Sequence, residues 1–169
     1  TEWLVEIVTY IRQKLPEIQR VTSYGRADTL SCITQEQFYQ LKSAGLDRIH
    51  SGFETGSDDV LQLIGKGSTQ KQQIEGGKKV KQAGIELSIY FMPGAGGKEY
   101  SQKNAIETAN VINAVNPDFV RLRTFVVKTG SLMEDLVKTG KFIECSDIEK
   151  LLEIKIMLEH IQNCNGYLA

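Results

Sequence analysis

The chain has 169 residues, of which 41% are hydrophobic and 24% charged, with a formal net charge of -1; these are the proportions of one ordinary globular domain with a core of its own. The near-neutral balance excludes a nucleic-acid footprint over the whole surface, though not a local basic patch. No apolar run approaches the roughly 18 residues that a membrane span requires, and no signal-peptide pattern opens the chain, so a cytoplasmic location without membrane contact is expected.

The opening TEWLVEIVTYI already reads as mid-helix, and the chain is expected to begin inside a larger gene product or to have been cut from one. Leu4, Ile7, Val8, Ile11 and Leu15 recur at helical spacing before Pro16, which predicts an amphipathic helix. Gln19–Tyr24 reads as a short strand leading into Gly25-Arg26-Ala27-Asp28. Thr34 and Gln37 form a capping box for a helix with Phe38, Leu41 and Ala44 on its apolar stripe, and Gly45 ends it. A predicted strand, Arg48–Phe53, runs to Glu54; Thr55-Gly56-Ser57 breaks it, and a short helix is expected over Ser57–Ile64. After the loop Gly65-Lys66-Gly67-Ser68, Thr69 and Gln72 box a helix that lasts to Gly84. Gly76-Gly77 inside it costs about 1 kcal/mol per glycine relative to alanine and marks a close approach of backbone to a neighbour. A strand is predicted over Ile85–Met92, a helix over Ser101–Val115, and a strand over Asp118–Phe125. A short helix to Lys138 and a final helix, Ser146–Cys164, boxed by Ser146 and Glu149, complete the chain.

Strands alternating with helices of a dozen residues mean right-handed crossovers and a parallel sheet, here of four predicted strands. Thr22 and Tyr24, His50 and Gly52, Ser88 and Tyr90, and Arg121 and Arg123 each sit two apart. Each strand therefore has a mainly apolar face and a partly polar one. A doubly wound sheet reads apolar on both faces, whereas a curved sheet with helices only outside leaves its inner face to polar, ligand-binding groups, and the pattern favours the curved sheet. Cys32, Cys145 and Cys164 are far apart, without a CxxC pair, and read as free thiols in a reducing compartment.

Glu54 is the focus of the candidate chemistry. A carboxylate just past a strand's C-terminal end, facing a helix N-terminus, lies where parallel α/β proteins place ligands; capping the Ser57 helix is the alternative role. Gly94-Ala95-Gly96-Gly97 is not a dinucleotide fingerprint, because Glu99 stands where the third glycine belongs. A stand-alone Rossmann- or flavodoxin-like domain using PGAGG or GKGST for phosphate, or a non-catalytic interaction module, are the rival functions. Arg121 and Arg123 on the inner face must meet carboxylates, water or an anionic ligand, since a buried unpaired guanidinium is very costly. His50 on the same face reads as a satisfied core histidine or as a catalytic one.

RIHSGFETGSDDVLQLIGKG resembles the fourth strand and following loop of radical S-adenosylmethionine (SAM) enzymes, in the branch containing oxygen-independent coproporphyrinogen oxidases, elongator-type enzymes and tRNA methylthiotransferases. RVTSYGRADTL resembles the third strand, LKSAGLDRI the helix before the fourth, KVKQAGIELSIYFMPGAGG the fifth strand and its loop, and NPDFVRLRTFVVKTGSLM the sixth. The likeness runs from Thr1 to about Leu136. It implies an α/β partial barrel: parallel strands three to six of a (β/α)6 core over residues 1–140, with a C-terminal helical extension over 141–169. The CxxxCxxC loop that holds a four-iron, four-sulfur cluster in that family is absent, as is the glycine-rich segment that meets the SAM amine. Both are expected upstream of Thr1, so that no residue of this chain is a metal ligand.

The resemblance also implies roles. Glu54 would hydrogen-bond SAM at its ribose hydroxyls or its amino-acid end, and Lys66 would pair with the SAM carboxylate. Tyr24 stands where a relative carries a carboxylate facing the cluster, and either takes part there or simply packs. Arg26 would reach a substrate anion or pair with Asp28. Ser88 and Tyr90 face the interior from the fifth strand, and backbone at Val126 and Val127 would meet the adenine edge. The full-length protein would be an iron–sulfur oxidoreductase acting on an unknown substrate with an electron donor such as flavodoxin or ferredoxin. This portion alone would be inactive and would dimerise or aggregate through its exposed sheet edge.

Overall fold

The computed structural model describes residues Thr1–Ala169. Eight helices and five strands follow in the order α1 (Glu2–Lys14), β1 (Thr22–Tyr24), α2 (Ala27–Cys32), α3 (Gln35–Ala44), β2 (Arg48–Glu54), α4 (Asp58–Leu63), α5 (Gln70–Gln82), β3 (Glu86–Phe91), α6 (Gly97–Val115), β4 (Phe119–Leu122), α7 (Leu132–Lys138), α8 (Asp147–His160) and β5 (Tyr167–Leu168). The capping boxes at Thr34, Thr69 and Ser146 are all formed, and Gly45 closes α3 in the left-handed region at φ 105°. Local sequence thus sets where these helices begin and end.

The strands make one sheet in the order β1-β2-β3-β4-β5, all parallel. Strand order never reverses, as a segment of a β/α barrel requires and a doubly wound sheet forbids. The two faces differ as the alternation predicts. Ile49, Phe53, Leu87, Ile89, Phe91 and Val120 are buried with the helices in one core, with Phe53 and Phe91 meeting edge to face at 6.1 Å. On the opposite face Tyr24, His50, Ser88 and Phe119 align across four strands, and Gly52, Tyr90 and Arg121 form the next row. The Rossmann- or flavodoxin-like alternative is set aside by this one-directional order.

Gly76 and Gly77 explain themselves by packing. A Cβ on Gly76 would lie 2.9 Å from the Ser31 nitrogen of α2, and one on Gly77 would lie 2.7 Å from Cγ1 of Val115. Two short elements correct the sequence reading. The predicted four strands are five: after Gly166, whose Cβ would fall 2.1 Å from the Pro117 carbonyl oxygen, β5 pairs with β4 through Tyr167 N to Asp118 O at 2.9 Å and Ala169 N to Val120 O at 2.9 Å. The final helix consequently stops at His160 rather than Cys164. The second addition is α2, which has no side-chain cap and buries Ala27 and Leu30. Helix α6 begins at Gly97, four residues earlier than Ser101. Residues 141–169 add α8, whose Met157 belongs to the same core, and β5.

Candidate functional site

The C-terminal ends of β1, β2 and β3 and the residues just past them bound a cleft of about 580 Å³ on the polar side of the sheet. Its wall is Tyr24, Gly25, Arg26, His50, Gly52, Glu54, Lys66, Tyr90, Met92 and Arg123. Seven of the residues singled out from the sequence meet there: Tyr24, Arg26, His50, Glu54, Lys66, Tyr90 and Arg123.

Glu54 is the last residue of β2 and sits at φ 66°, where a non-glycine residue is strained by roughly 1–3 kcal/mol. The β2–β3 register shifts between Gly52 and Glu54, and the Glu54 carbonyl accepts from Met92 N at 2.7 Å. The strain persists because the flanking backbone is over-determined. Gln73 Nε2 donates to the carbonyls of Phe53 and Thr55, both at 2.9 Å, and Gly56 N donates to Thr108 Oγ1 at 3.0 Å. The turn re-aims the side chain, whose Oε1 lies 2.7 Å from Lys66 Nζ, each side chain being about one-fifth exposed. Gly52 makes room for this: a Cβ there would sit 2.3 Å from Glu54 Oε1 and 3.3 Å from Lys66 Nζ.

Lys66 lies between Gly65 at φ 66° and Gly67 at φ 73°. Its carbonyl accepts from Arg26 Nη2 at 3.0 Å, and its amide bonds Leu61 O at 2.9 Å. The Arg26 guanidinium also grips Asp28, at 3.1 Å from Nε to Oδ1. That hydrogen bond raises the arginine above its ordinary pKa and lowers the Asp28 carboxyl below its own. Arg26 thus serves both its sequence-derived partner Asp28 and the loop that carries Lys66.

The far wall is aromatic and cationic. Tyr24, exposed at the rim, lies 5.2 Å from the His50 ring, which is 6.1 Å from Tyr90. The Arg123 guanidinium stands 5.2 Å from the Tyr90 ring centroid, a cation–π contact. Burial, then the charges of Arg121 and Arg48, lower the His50 pKa, so the imidazole is neutral near pH 7. Its Nδ1 is buried without a hydrogen-bond partner. Ser88 shares the inner face but is fully buried, accepting from Arg121 Nε at 3.1 Å beneath the cleft floor. Val126 is exposed and Val127 half-buried in the segment after β4, and neither lines the cleft. The alternation that paired His50 with Gly52, and Arg121 with Arg123, was the signal for the place of His50, Gly52 and Arg123 on the wall; nothing local marked Gly25 or Met92. No three His, Cys, Asp or Glu side chains lie close enough to hold a metal ion.

Known proteins resemble this chain in sequence and in fold. The family described as the radical SAM superfamily matches residues 3–109. The tRNA uridine(34) acetyltransferase of Methanocaldococcus jannaschii is 22% identical over 109 residues, 64% of this chain and 20% of that protein. The heme chaperone HemW of Bacillus subtilis is 22% identical over 139 residues, 82% of this chain and 35% of that protein. The structure of Elp3 from Methanocaldococcus infernus, with an N-terminal deletion, superposes with a TM-score of 0.69 at 18% identity, covering 89% of this chain and 34% of that one. The chain thus spans between a fifth and about a third of the length of these relatives.

Proposed function

This chain belongs to the radical SAM superfamily, and from that membership we propose that it is the SAM-gripping part of an iron–sulfur oxidoreductase. A four-iron, four-sulfur cluster held elsewhere in the protein would supply the one electron that parts SAM into methionine and a 5′-deoxyadenosyl radical able to take a hydrogen atom from substrate. The observation that carries the reading is the Glu54–Lys66 pair, held 2.7 Å apart in the cleft. Each group satisfies the other until a ligand arrives. A zwitterion is the ligand that leaves neither unpaired: its ammonium goes to Glu54 and its carboxylate to Lys66. The amino-acid end of SAM has that chemistry, while Tyr24, His50, Tyr90 and Arg123 offer flat, partly cationic surface beyond it. Backbone at Val126 and Val127 is proposed to close on the adenine edge, with Ser88 acting from below through Arg121.

The cluster does not fit this chain's own side chains, since Cys32 is exposed, Cys145 buried and Cys164 half-buried, with no three ligands grouped. In this reading its cysteines lie outside residues 1–169, and this portion alone is inactive. Residues 1–140 supply the barrel wall and 141–169 brace it. The whole protein works in the cytoplasm with a flavodoxin or ferredoxin as electron donor. The open β1 edge, a three-residue strand with one neighbour, is proposed to pair with a second copy when unprotected; a monomeric mass by light scattering would count against that pairing.

The test of the central reading is calorimetric titration of the protein with S-adenosylhomocysteine, which keeps the aminocarboxylate and avoids turnover. Glu54→Gln and Lys66→Met are each expected to weaken binding about tenfold, as loss of a charge-assisted hydrogen bond does. Unchanged affinity in both variants overturns it.

A further inference from the structure

Glu153 is an ionisable side chain where a hydrophobic one belongs. It faces inward from α8, is 3% exposed, and has no lysine or arginine paired with it. Its Oε1 accepts from Gly94 N at 2.9 Å and from Asn104 Nδ2 at 2.7 Å, and its Oε2 accepts from Ser101 Oγ at 2.5 Å. Three donors offset the desolvation of the carboxyl group, and they commit both α6 and the Gly94 loop to it.

The commitment propagates. Glu153 Oε1 is an acceptor, taking the Gly94 N–H, so Asn104 turns its amide nitrogen towards it and its Oδ1 away. The Thr55 hydroxyl donates to that Oδ1. With its proton so directed, Thr55 Oγ1 accepts from Ser57 N at 2.9 Å. The relay therefore begins on α8, crosses α6, and ends one residue past Glu54, in the turn that holds Glu54 at φ 66°. Glu153, Asn104, Thr55 and Ser57 are each 97% or more buried, so they satisfy one another rather than bulk water.

We infer that Glu153, acting through Asn104 and Thr55, is a positioning residue for Glu54, coupling α8 to the ligand end of the cleft. The inference rests on the reading of Glu54 as a ligand-binding group. A buried network that merely stabilises the fold would change global stability and leave the turn and its affinity alone. A positioning relay changes the turn locally and is rescued by residues that preserve its donor–acceptor order. Glutamine at 153 preserves that order, because both the Gly94 and Asn104 donors fall on one oxygen while the other position can donate to Ser101.

The experiment has two readouts on one set of variants: hydrogen exchange at the Ser57 amide, and affinity for S-adenosylhomocysteine. Asn104→Leu and Thr55→Val are expected to speed Ser57 exchange about tenfold and to weaken binding by a similar factor. Glu153→Gln and Thr55→Ser are expected to stay within about twofold of the parent in both. If Asn104→Leu does not fold, Thr55→Val reads the same amide from the far end of the relay. Unaltered Ser57 exchange in Thr55→Val overturns the inference, and so does faster exchange with full affinity retained. If the parent binds no S-adenosylhomocysteine, the ligand reading of Glu54 fails, while Ser57 exchange still decides whether the relay holds the turn.

Discussion

Two segments leave the C-terminal edge of the sheet and behave as opposites. The turn after β2, Thr55–Ser57, is fully enclosed and receives bonds from α5 and α6: Gln73, Asn104 and Thr108 all reach it or its neighbours. The segment after β4, Arg123–Gly130, runs along the surface, keeping Arg123 N to Phe91 O at 2.9 Å and Phe125 N to Pro93 O at 3.0 Å. Strain can be stored only where surrounding contacts outnumber the ways of relaxing it. The first segment meets that condition and carries the left-handed Glu54; the second does not, and its side chains have latitude to adjust to a ligand.

The largest expected effect strikes the enclosed turn. A Cβ on Gly56 would fall 2.4 Å from the Glu107 carbonyl oxygen and 2.7 Å from Thr108 Cα, both rigid backbone. Gly56→Ala is therefore expected to destabilise by about 3 kcal/mol, read as a shifted urea midpoint with unchanged slope. A midpoint equal to the parent's would mean that the turn is not pinned.

Gly52→Ala is the contrasting case, four residues away. Its Cβ would collide with Glu54 Oε1, the far end of a flexible side chain. Stability is expected to change by less than about 1 kcal/mol, whereas affinity for S-adenosylhomocysteine should fall about tenfold as the carboxylate leaves Lys66. Equal losses of stability and affinity would erase the distinction between framework and ligand group.

A pH series sharpens the comparison further. Burial raises the Glu153 pKa against the pull of Ser101, Gly94 and Asn104. Folded protein therefore holds this proton more tightly than unfolded chain. The carboxyl costs nothing in acid; its penalty grows as pH climbs from the unfolded pKa to the folded one, and is complete above it. Glu153→Gln removes that slope, so its stability relative to the parent is expected to improve from pH 4 upward through the carboxyl range. A difference independent of pH would show that the Glu153 carboxyl binds its proton equally in the folded and unfolded states.

The smallest effect belongs to the exposed segment. Arg123→Ala removes a guanidinium resting 5.2 Å from Tyr90 and paired with no carboxylate. A change in stability of no more than about 0.5 kcal/mol is expected in thermal melts. A larger loss would mean that this wall is as determined as the β2 turn.

What the sequence revealed, and what it hid, follows the same division by range. Thr34, Thr69 and Ser146 announce their helices because a cap and its partner are three residues apart. The alternation of His50 and Gly52 places those two residues on one face for an equally local reason. Short elements escape: α2 lacks a capping side chain, and β5 spans two residues whose pairing with β4 is decided by Gly166 fitting against Pro117. Glu54 was legible as a residue of the candidate cleft, but not its left-handed backbone, which depends on Gln73 and Thr108. The bond between Asn104 and Glu153 joins residues 49 apart and leaves no periodic trace. Ser88 sits on the expected face, yet its burial under Arg121 is a long-range outcome that alternation does not register.

The central claim is that Glu54 and Lys66 exchange each other for the two charges of one aminocarboxylate. A crystal structure of the full-length protein with SAM tests it most directly. The account predicts the SAM ammonium within hydrogen-bond distance of Glu54 and its carboxylate on Lys66, with the Glu54 backbone still left-handed. SAM seated elsewhere, with the Glu54–Lys66 pair still closed upon itself, would contradict it.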